Sequence, residues 1–179
     1  MKNLESLVNL DAQAFTKTYK KGTILQRAGE ESNLAFYVKK GLLRSYTIDE
    51  KGKEHIFMFA PEGWLISDIE SQEFNLPAEL YIECLEDSEV VSIDRKCFSL
   101  SDLSSTQLLE QTNLLMRRVA VLQRRIIAMM SANAKSRYLQ FTQTYPELPN
   151  RVPQKMIASY LGITPEALSK IRGEIVRNS

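Results

Sequence analysis

The chain has 179 residues, long enough to bury a real core, either as one domain or as a sensor domain with a small appendage. Apolar residues at 44% and charged residues at 25% are ordinary for a soluble globular protein, the apolar runs are too short to cross a bilayer, and the opening MKNLESLVNLDAQAF lacks a secretory core, so a cytoplasmic protein with no membrane partner is expected. The net charge of +1 conceals an asymmetry: residues 1–116 hold 12 Lys/Arg against 19 Asp/Glu, whereas residues 117–179 hold 11 against 3, a skew that suits a polyanion such as DNA but is also the ordinary surface of a solvated helix.

From about Phe15 to Ile93 short strand-like runs alternate with turns. LAFYVKKGLLRSYTI and EHIFMFA bring aromatic and branched residues together, and Gly22, Gly29, Gly41, Gly52 and Gly63 fall between the runs. Regular glycine punctuation of this kind predicts an antiparallel all-β unit, in the form of a roll or barrel. DEKGKE reads as a hairpin tip and LEDSEVVSIDR as a closing turn and strand. Cys84 and Cys97 are too few for a disulfide framework and are not spaced as metal ligands, so both read as buried thiols. With His55 as the single histidine, a histidine-based catalytic or zinc site has almost no material.

After DRKCFSLSDLSS the period changes. Leu108, Thr112, Leu115, Val119, Leu122, Ile126 and Met129 are spaced alternately four and three residues apart, the a/d seam of a coiled coil, and predict a dimerisation helix. The alternative is a helix that packs this stripe on its own β-domain, since Leu109, Met116 and Ile127 widen it. Arg117, Arg118, Arg124 and Arg125 fall largely on other faces. A break near SANAKS precedes a second helix, AKSRYLQFTQTY, which ends in the proline-rich PELPNRVP.

The last segment, QKMIASYLGITPEALSKIRGEI, places Ile157, Leu161, Ile163, Leu168 and Ile171 in a helix-turn-helix register. Ala158 permits close helix approach, Gly162 takes the left-handed conformation at the corner, Thr164 is the expected N-cap and Pro165 sits in the first turn, where its missing N–H does no harm. The free face of the second helix then carries Glu166, Ser169, Lys170 and Gly173, with Arg172 at the margin, as a recognition helix offers side chains to a major groove. A purely structural helical hairpin shares the same glycine turn.

This order of pieces resembles the Crp/Fnr family of bacterial transcription regulators over almost the whole chain. KKGTILQRAGEESNLAFYVKKGLLRSYTIDEKGKE is similar to the opening strands of that family's roll, and RVPQKMIASYLGITPEALSKIR is close to the form common in its Bacteroidetes members. The fold implied is α+β: an antiparallel β-roll (a double-stranded β-helix, cyclic nucleotide-binding-like) over 1–100, a dimerisation helix over 101–131 and a helix-turn-helix domain over 132–179. The resemblance implies a homodimer on a twofold-symmetric operator of double-stranded DNA, with Glu166 and Lys170 at base-reading positions. Thr164, Ser169, Arg172, Lys155 and Arg151 complete the expected DNA-binding set. RNA polymerase and an unidentified small-molecule effector stand as open further partners.

Two departures from the family pattern matter. Its cyclic-nucleotide sensors hold the ring phosphate with a glycine-glutamate turn, an arginine and a small polar neighbour, whereas here no Lys or Arg occurs from Glu54 to Asp94 and the stretch is rich in acids, among them Glu70, Glu73, Glu79 and Glu83. Cyclic AMP in the usual pose is therefore not expected. An iron-sulfur cluster needs about four cysteines, and two are present; neither a cofactor nor a metal is expected. The sequence also stops with SKIRGEIVRNS, so the expected fold lacks the C-terminal β-hairpin wing. Binding then leans on the dimer, on Lys155, Arg151 and Arg177, and on helix N-termini. The expected function is a dimeric, sequence-specific DNA-binding regulator, not an enzyme, since His55 lacks companion histidines. The alternative is a small-molecule sensor module whose DNA binding is vestigial.

Overall fold

The computed structural model describes residues 15–94 and 104–177. Cys97 and the boundary expected at residues 100/101 lie outside the described residues, as do the side chains of Arg117 and Arg118. The chain divides into two units, up to residue 102 and from residue 103 onward.

In the first unit the alternating runs become β1 (Phe15–Tyr19), β2 (Ile24–Gln26), β3 (Leu34–Lys40), β4 (Leu43–Ile48), β5 (Glu54–Ala60), β6 (Leu65–Ile66), β7 (Tyr81–Cys84) and β8 (Ser88–Asp94), with one short helix, α1 (Ile69–Phe74), between β6 and β7. They form two four-stranded sheets, ordered β1-β8-β3-β6 and β2-β7-β4-β5, and every pairing is antiparallel. Apart from the β4–β5 hairpin, which stays within one sheet, successive strands alternate between the sheets, which makes the roll. Because side chains alternate across a strand, each sheet sends one set inward. Phe36, Val38, Ile66 and Val90 from the first sheet meet Leu43, Ala60, Ile82 and Cys84 from the second in one buried cluster.

Turn chemistry closes the roll. Asp49 takes the Lys51 and Lys53 amides on its carboxylate at 2.9 Å, which builds the β4–β5 hairpin at DEKGKE. Gly41 is demanded twice over: its φ is +97°, and a Cβ there would lie 2.3 Å from Ser88 Oγ.

The second unit is helical: α2 (Ser105–Ser131), α3 (Ala134–Thr144), α4 (Leu148–Arg151), α5 (Gln154–Leu161) and α6 (Pro165–Arg177). The break at SANAKS is an N-cap, with the Ser136 N–H donating to Asn133 Oδ1 at 2.9 Å. PELPNRVP ends α3 as its prolines require, yet it also holds the single turn α4, with Pro149 in the first turn, where no N–H is needed. Phe141, Tyr145 and Tyr160 join ring to ring at 5.4 to 5.9 Å between centroids and tie α3 to α5.

Candidate nucleic-acid interface and sensor cassette

The corner between α5 and α6 follows from its residues. Gly162 adopts φ 66°, ψ 38°, its N–H returns to the Ala158 and Ser159 carbonyls, and the Ile163 N–H returns to Ala158 at 3.0 Å. Those bonds satisfy the last carbonyls of α5 in a Schellman-type closure. The next helix then starts at once, with Thr164 Oγ1 accepting from the Ala167 N–H at 3.2 Å. Ile157, Ala158, Leu161, Leu168 and Ile171 are buried, and Ile163 is half-buried.

What remains outside is polar. Thr164, Glu166, Ser169, Lys170 and Gly173 are exposed along α6 and Arg172 is half-buried. Glu166 and Lys170 stand one turn apart. The Glu166 carboxyl lies below its ordinary range because hydrogen bonds with its own backbone N–H and with Thr164 favour the charged form. Lys155 is exposed at the start of α5. Arg151 is half-buried, 3.6 Å from Glu147, and Arg177 Nε donates to the Gly173 carbonyl at 3.2 Å.

The α2 seam is exposed along its length. Leu108, Leu115, Val119, Leu122, Ile126 and Met129 each leave 39% or more of their surface open, Thr112 is exposed, and Leu109, Met116 and Ile127 widen the same apolar stripe. Arg124 is exposed. Arg125 is half-buried, its guanidinium 4.1 Å from the Tyr160 ring centroid, which ties α2 to α5.

In the roll, the segment from Ser67 to Leu80 is organised by one carboxylate. Asp68, 2% exposed, accepts from the Ser71 N–H at 3.2 Å on one oxygen and from the Glu79 and Leu80 N–H groups at 2.8 and 2.9 Å on the other. Asp68 thus caps α1 and holds the chain entering β7, so an internal anion already occupies these backbone donors. Gln26 grips the same place, its Nε2 donating to the Leu80 carbonyl at 2.9 Å.

Contrary to the repulsion expected of the acid-rich stretch, Glu83 is charge-paired by a guanidinium from the neighbouring strand: Arg44 in β4 donates to Glu83 from Nε at 2.8 Å and from Nη2 at 2.6 Å, and to Glu54 from Nη1. Arg44 also lies 4.0 Å from the Tyr46 ring centroid, and Tyr46 stacks on Tyr81 at 5.2 Å. Burial works against its charge, yet the hydrogen bonds to Glu54 and Glu83 prevail and raise its pKa above the ordinary arginine value. A count of basic residues along 54–94 misses Arg44 because sheet pairing brings it in from ten residues away. Cys84 is buried as expected, and burial pushes its thiol up to about 11.

The Cyclic nucleotide-binding domain family model matches residues 16–99. An Anaerobic regulatory protein of Aggregatibacter actinomycetemcomitans is 28% identical over 171 residues, covering 88% of this chain and 65% of that protein. The Fumarate and nitrate reduction regulatory protein of Yersinia pestis is 29% identical, covering 91% of this chain and 69% of its own length. The chain is thus similar to regulatory proteins over most of its length. Its fold is that of FixK2 from Bradyrhizobium japonicum, which superposes with a TM-score of 0.77 at 16% identity, covering 92% of this chain and 85% of that one. The relatives are regulators, and the chain spans about two thirds of the length of those two. Among the described residues no helix is long and apolar enough to cross a membrane.

Proposed function

We propose that this chain is a member of the Crp/Fnr family, a cytoplasmic, homodimeric, sequence-specific DNA-binding regulator and not an enzyme, and that its roll does not take cyclic AMP in the family's usual pose. The observation that carries the reading is the corner at Gly162: a left-handed glycine cap followed immediately by a Thr164-capped helix whose buried side anchors it on α5 and whose open side bears Glu166, Ser169, Lys170 and Arg172. In this arrangement Lys170 donates to guanine edges and Glu166 accepts from cytosine. Lys155, Arg151 and Thr164 position the unit on phosphates. The exposed α2 seam supports a dimer, because an apolar stripe of this length is rarely left in water. RNA polymerase is a further partner of this reading. Asp68 supports the absence of cyclic AMP: an anion brought to the α1 end meets a buried carboxylate already holding the amides.

Selection of bound sites from random double-stranded DNA tests the function directly. An enriched inverted repeat is the expected result. Recovery of no enriched sequence by the intact dimer would leave the sensor-only alternative standing.

A further inference from the structure

From Val121 to Ser131 every residue of α2 is exposed except two: Arg125 is half-buried and Ala128 is 6% exposed. Residues three and four apart share a helix face, so Arg125, Ala128 and the half-buried Ala132 just past the helix form one short strip, and this strip meets the rest of the helical unit.

Two attachments are made along it. At the end of the helix the Ala132 N–H donates to the Ala128 carbonyl at 3.0 Å, and the Ala132 carbonyl accepts from Arg137 Nη1 of α3 at 2.9 Å. About 10 Å back along the helix axis, the Arg125 guanidinium lies over the Tyr160 ring of α5 at 4.1 Å, and its Nη2 donates to the Tyr160 carbonyl at 3.4 Å. The Tyr160 ring in turn meets Phe141 at 5.4 Å and Tyr145 at 5.9 Å between centroids, and those two side chains are only 2% and 4% exposed. Arg125 therefore holds α3 and α5 together, and through the Gly162 corner it holds α6. One attachment leaves a joint that swivels; two, separated along a rod, fix an angle. Arg125 also stands beside Ile126 of the exposed apolar seam, so the residue that grips the helix-turn-helix is next to one that the proposed dimer buries.

We propose that Arg125 is a positioning residue for operator reading: its contact with Tyr160 fixes the angle at which α5 and α6 leave α2, and so sets the half-site spacing that the dimer accepts. In a twofold dimer each copy presents one α6, and one more base pair between half-sites moves a half-site by about 3.4 Å and turns it by about 34° around the duplex. A reading helix locked in angle cannot follow that shift, whereas one on a swivel can. This inference rests on the DNA-binding reading above. It separates the residue that sets operator geometry from Glu166 and Lys170, which read bases.

The test uses the full chain and the inverted repeat that the wild-type protein selects from random DNA, together with the same repeat lengthened or shortened by one base pair at its centre. Competition binding gives the ratio of affinities for native and altered spacing. Both affinities are read on one preparation, so a partly unfolded fraction cancels. Arg125→Met keeps an apolar stem and removes the cation. The ratio should fall by roughly 2- to 30-fold, the range that a cation over an aromatic ring is worth, while base preferences within a half-site and the sedimentation mass stay as in the wild type. Tyr160→Leu removes the ring, leaves the seam untouched and should lower the ratio in the same way, with the double variant going no further. Arg125→Lys restores a cation and should recover part of the preference. Should Tyr160→Leu fail to fold, the two Arg125 variants still decide. An unchanged ratio in Arg125→Met, including equal weakening on all three spacings, would overturn the proposal, as would a wild type indifferent to spacing; both leave the DNA-binding reading standing. Loss of the dimer in Arg125→Met would assign Arg125 to the seam and overturn it too. Selection of no inverted repeat by the wild type would overturn both readings together.

Discussion

The roll and the helical unit dispose of their side chains in opposite ways. In the roll, apolar residues meet across two sheets, the buried guanidinium of Arg44 has two carboxylates, and the buried Asp68 carboxylate has three backbone amides. In the helical unit, α2 leaves a stripe from Leu108 to Met129 open, and α6 turns a polar face outward. The roll is nearly complete as a single chain. The helical unit leaves both an apolar stripe and a polar helix face exposed. The difference is one of geometry: two sheets cover each other's inner faces, whereas the apolar stripe of α2 lies open.

The sharpest way to break this comparison is to charge the open seam. Replacing both Leu115 and Leu122 with Asp should bury unpaired carboxylates at the centre of a dimer, at a cost of several kcal/mol, and sedimentation should report a monomer mass. An unchanged dimer would place the interface elsewhere.

The corresponding cut in the roll is Arg44→Met, which leaves Glu83 without its partner. Breaking a buried pair costs about 3–5 kcal/mol, and the low end, about 3, is expected because Glu54 keeps 45% of its side-chain surface exposed. Urea unfolding of the variant measures it, and adding Glu83→Gln should restore part of the loss. A loss below about 0.5 kcal/mol would mark the cluster as ordinary surface charge.

Within the helical unit, specification and positioning should separate. Lys170→Ala should relax preference at particular operator positions by about 1–3 kcal/mol, whereas Lys155→Ala should weaken all sequences alike and lower the salt slope by roughly one unit. Competition binding at several salt concentrations distinguishes them. Base preferences left intact in Lys170→Ala would remove α6 from the role of reader.

A smaller effect concerns pH. Asp87 accepts from Lys20 Nζ at 2.7 Å and from the Lys21 N–H at 2.9 Å, and these bonds, the one from Lys20 foremost, hold its carboxyl below the ordinary value of 3.8. A depressed carboxylate stabilises the fold fully above its unfolded value and loses that contribution as pH falls through the folded one. An NMR titration of Asp87 should show the low value, and Lys20→Ala should move it upward; no movement would mean that the Lys21 amide alone sets it.

The smallest expected effect is none at all. Calorimetry with cyclic AMP should find no binding tighter than roughly millimolar, about 4 kcal/mol, and micromolar binding would refute the role given to Asp68.

Much of the candidate interface is legible one residue at a time, because helix caps are local. Gly162, Thr164 and Pro165 announce the corner, and the register of Ile157, Leu161, Leu168 and Ile171 follows from a repeat of about 3.6 residues. The features of the roll that bear on ligands are not legible in this way. Asp68 sits in an acid-rich stretch and looks like its neighbours until the amides of Glu79 and Leu80 fold back to it. Arg44 and Ser45 are adjacent in LLRSYTI, yet one faces out to Glu83 and the other in to Ile82.

The sequence alone therefore determined the order of parts, a glycine-punctuated roll, a heptad helix and a capped helical corner, since each depends on spacings of a few residues. Tertiary structure decided which charges are neutralised and which polar atoms lie inside. Antiparallel pairing sets Gln26 and Ser45 on either side of Ile82 and brings Arg44 to Glu83, 39 residues away. Those distances are fixed by strand register, which rests on the packing of both sheets at once.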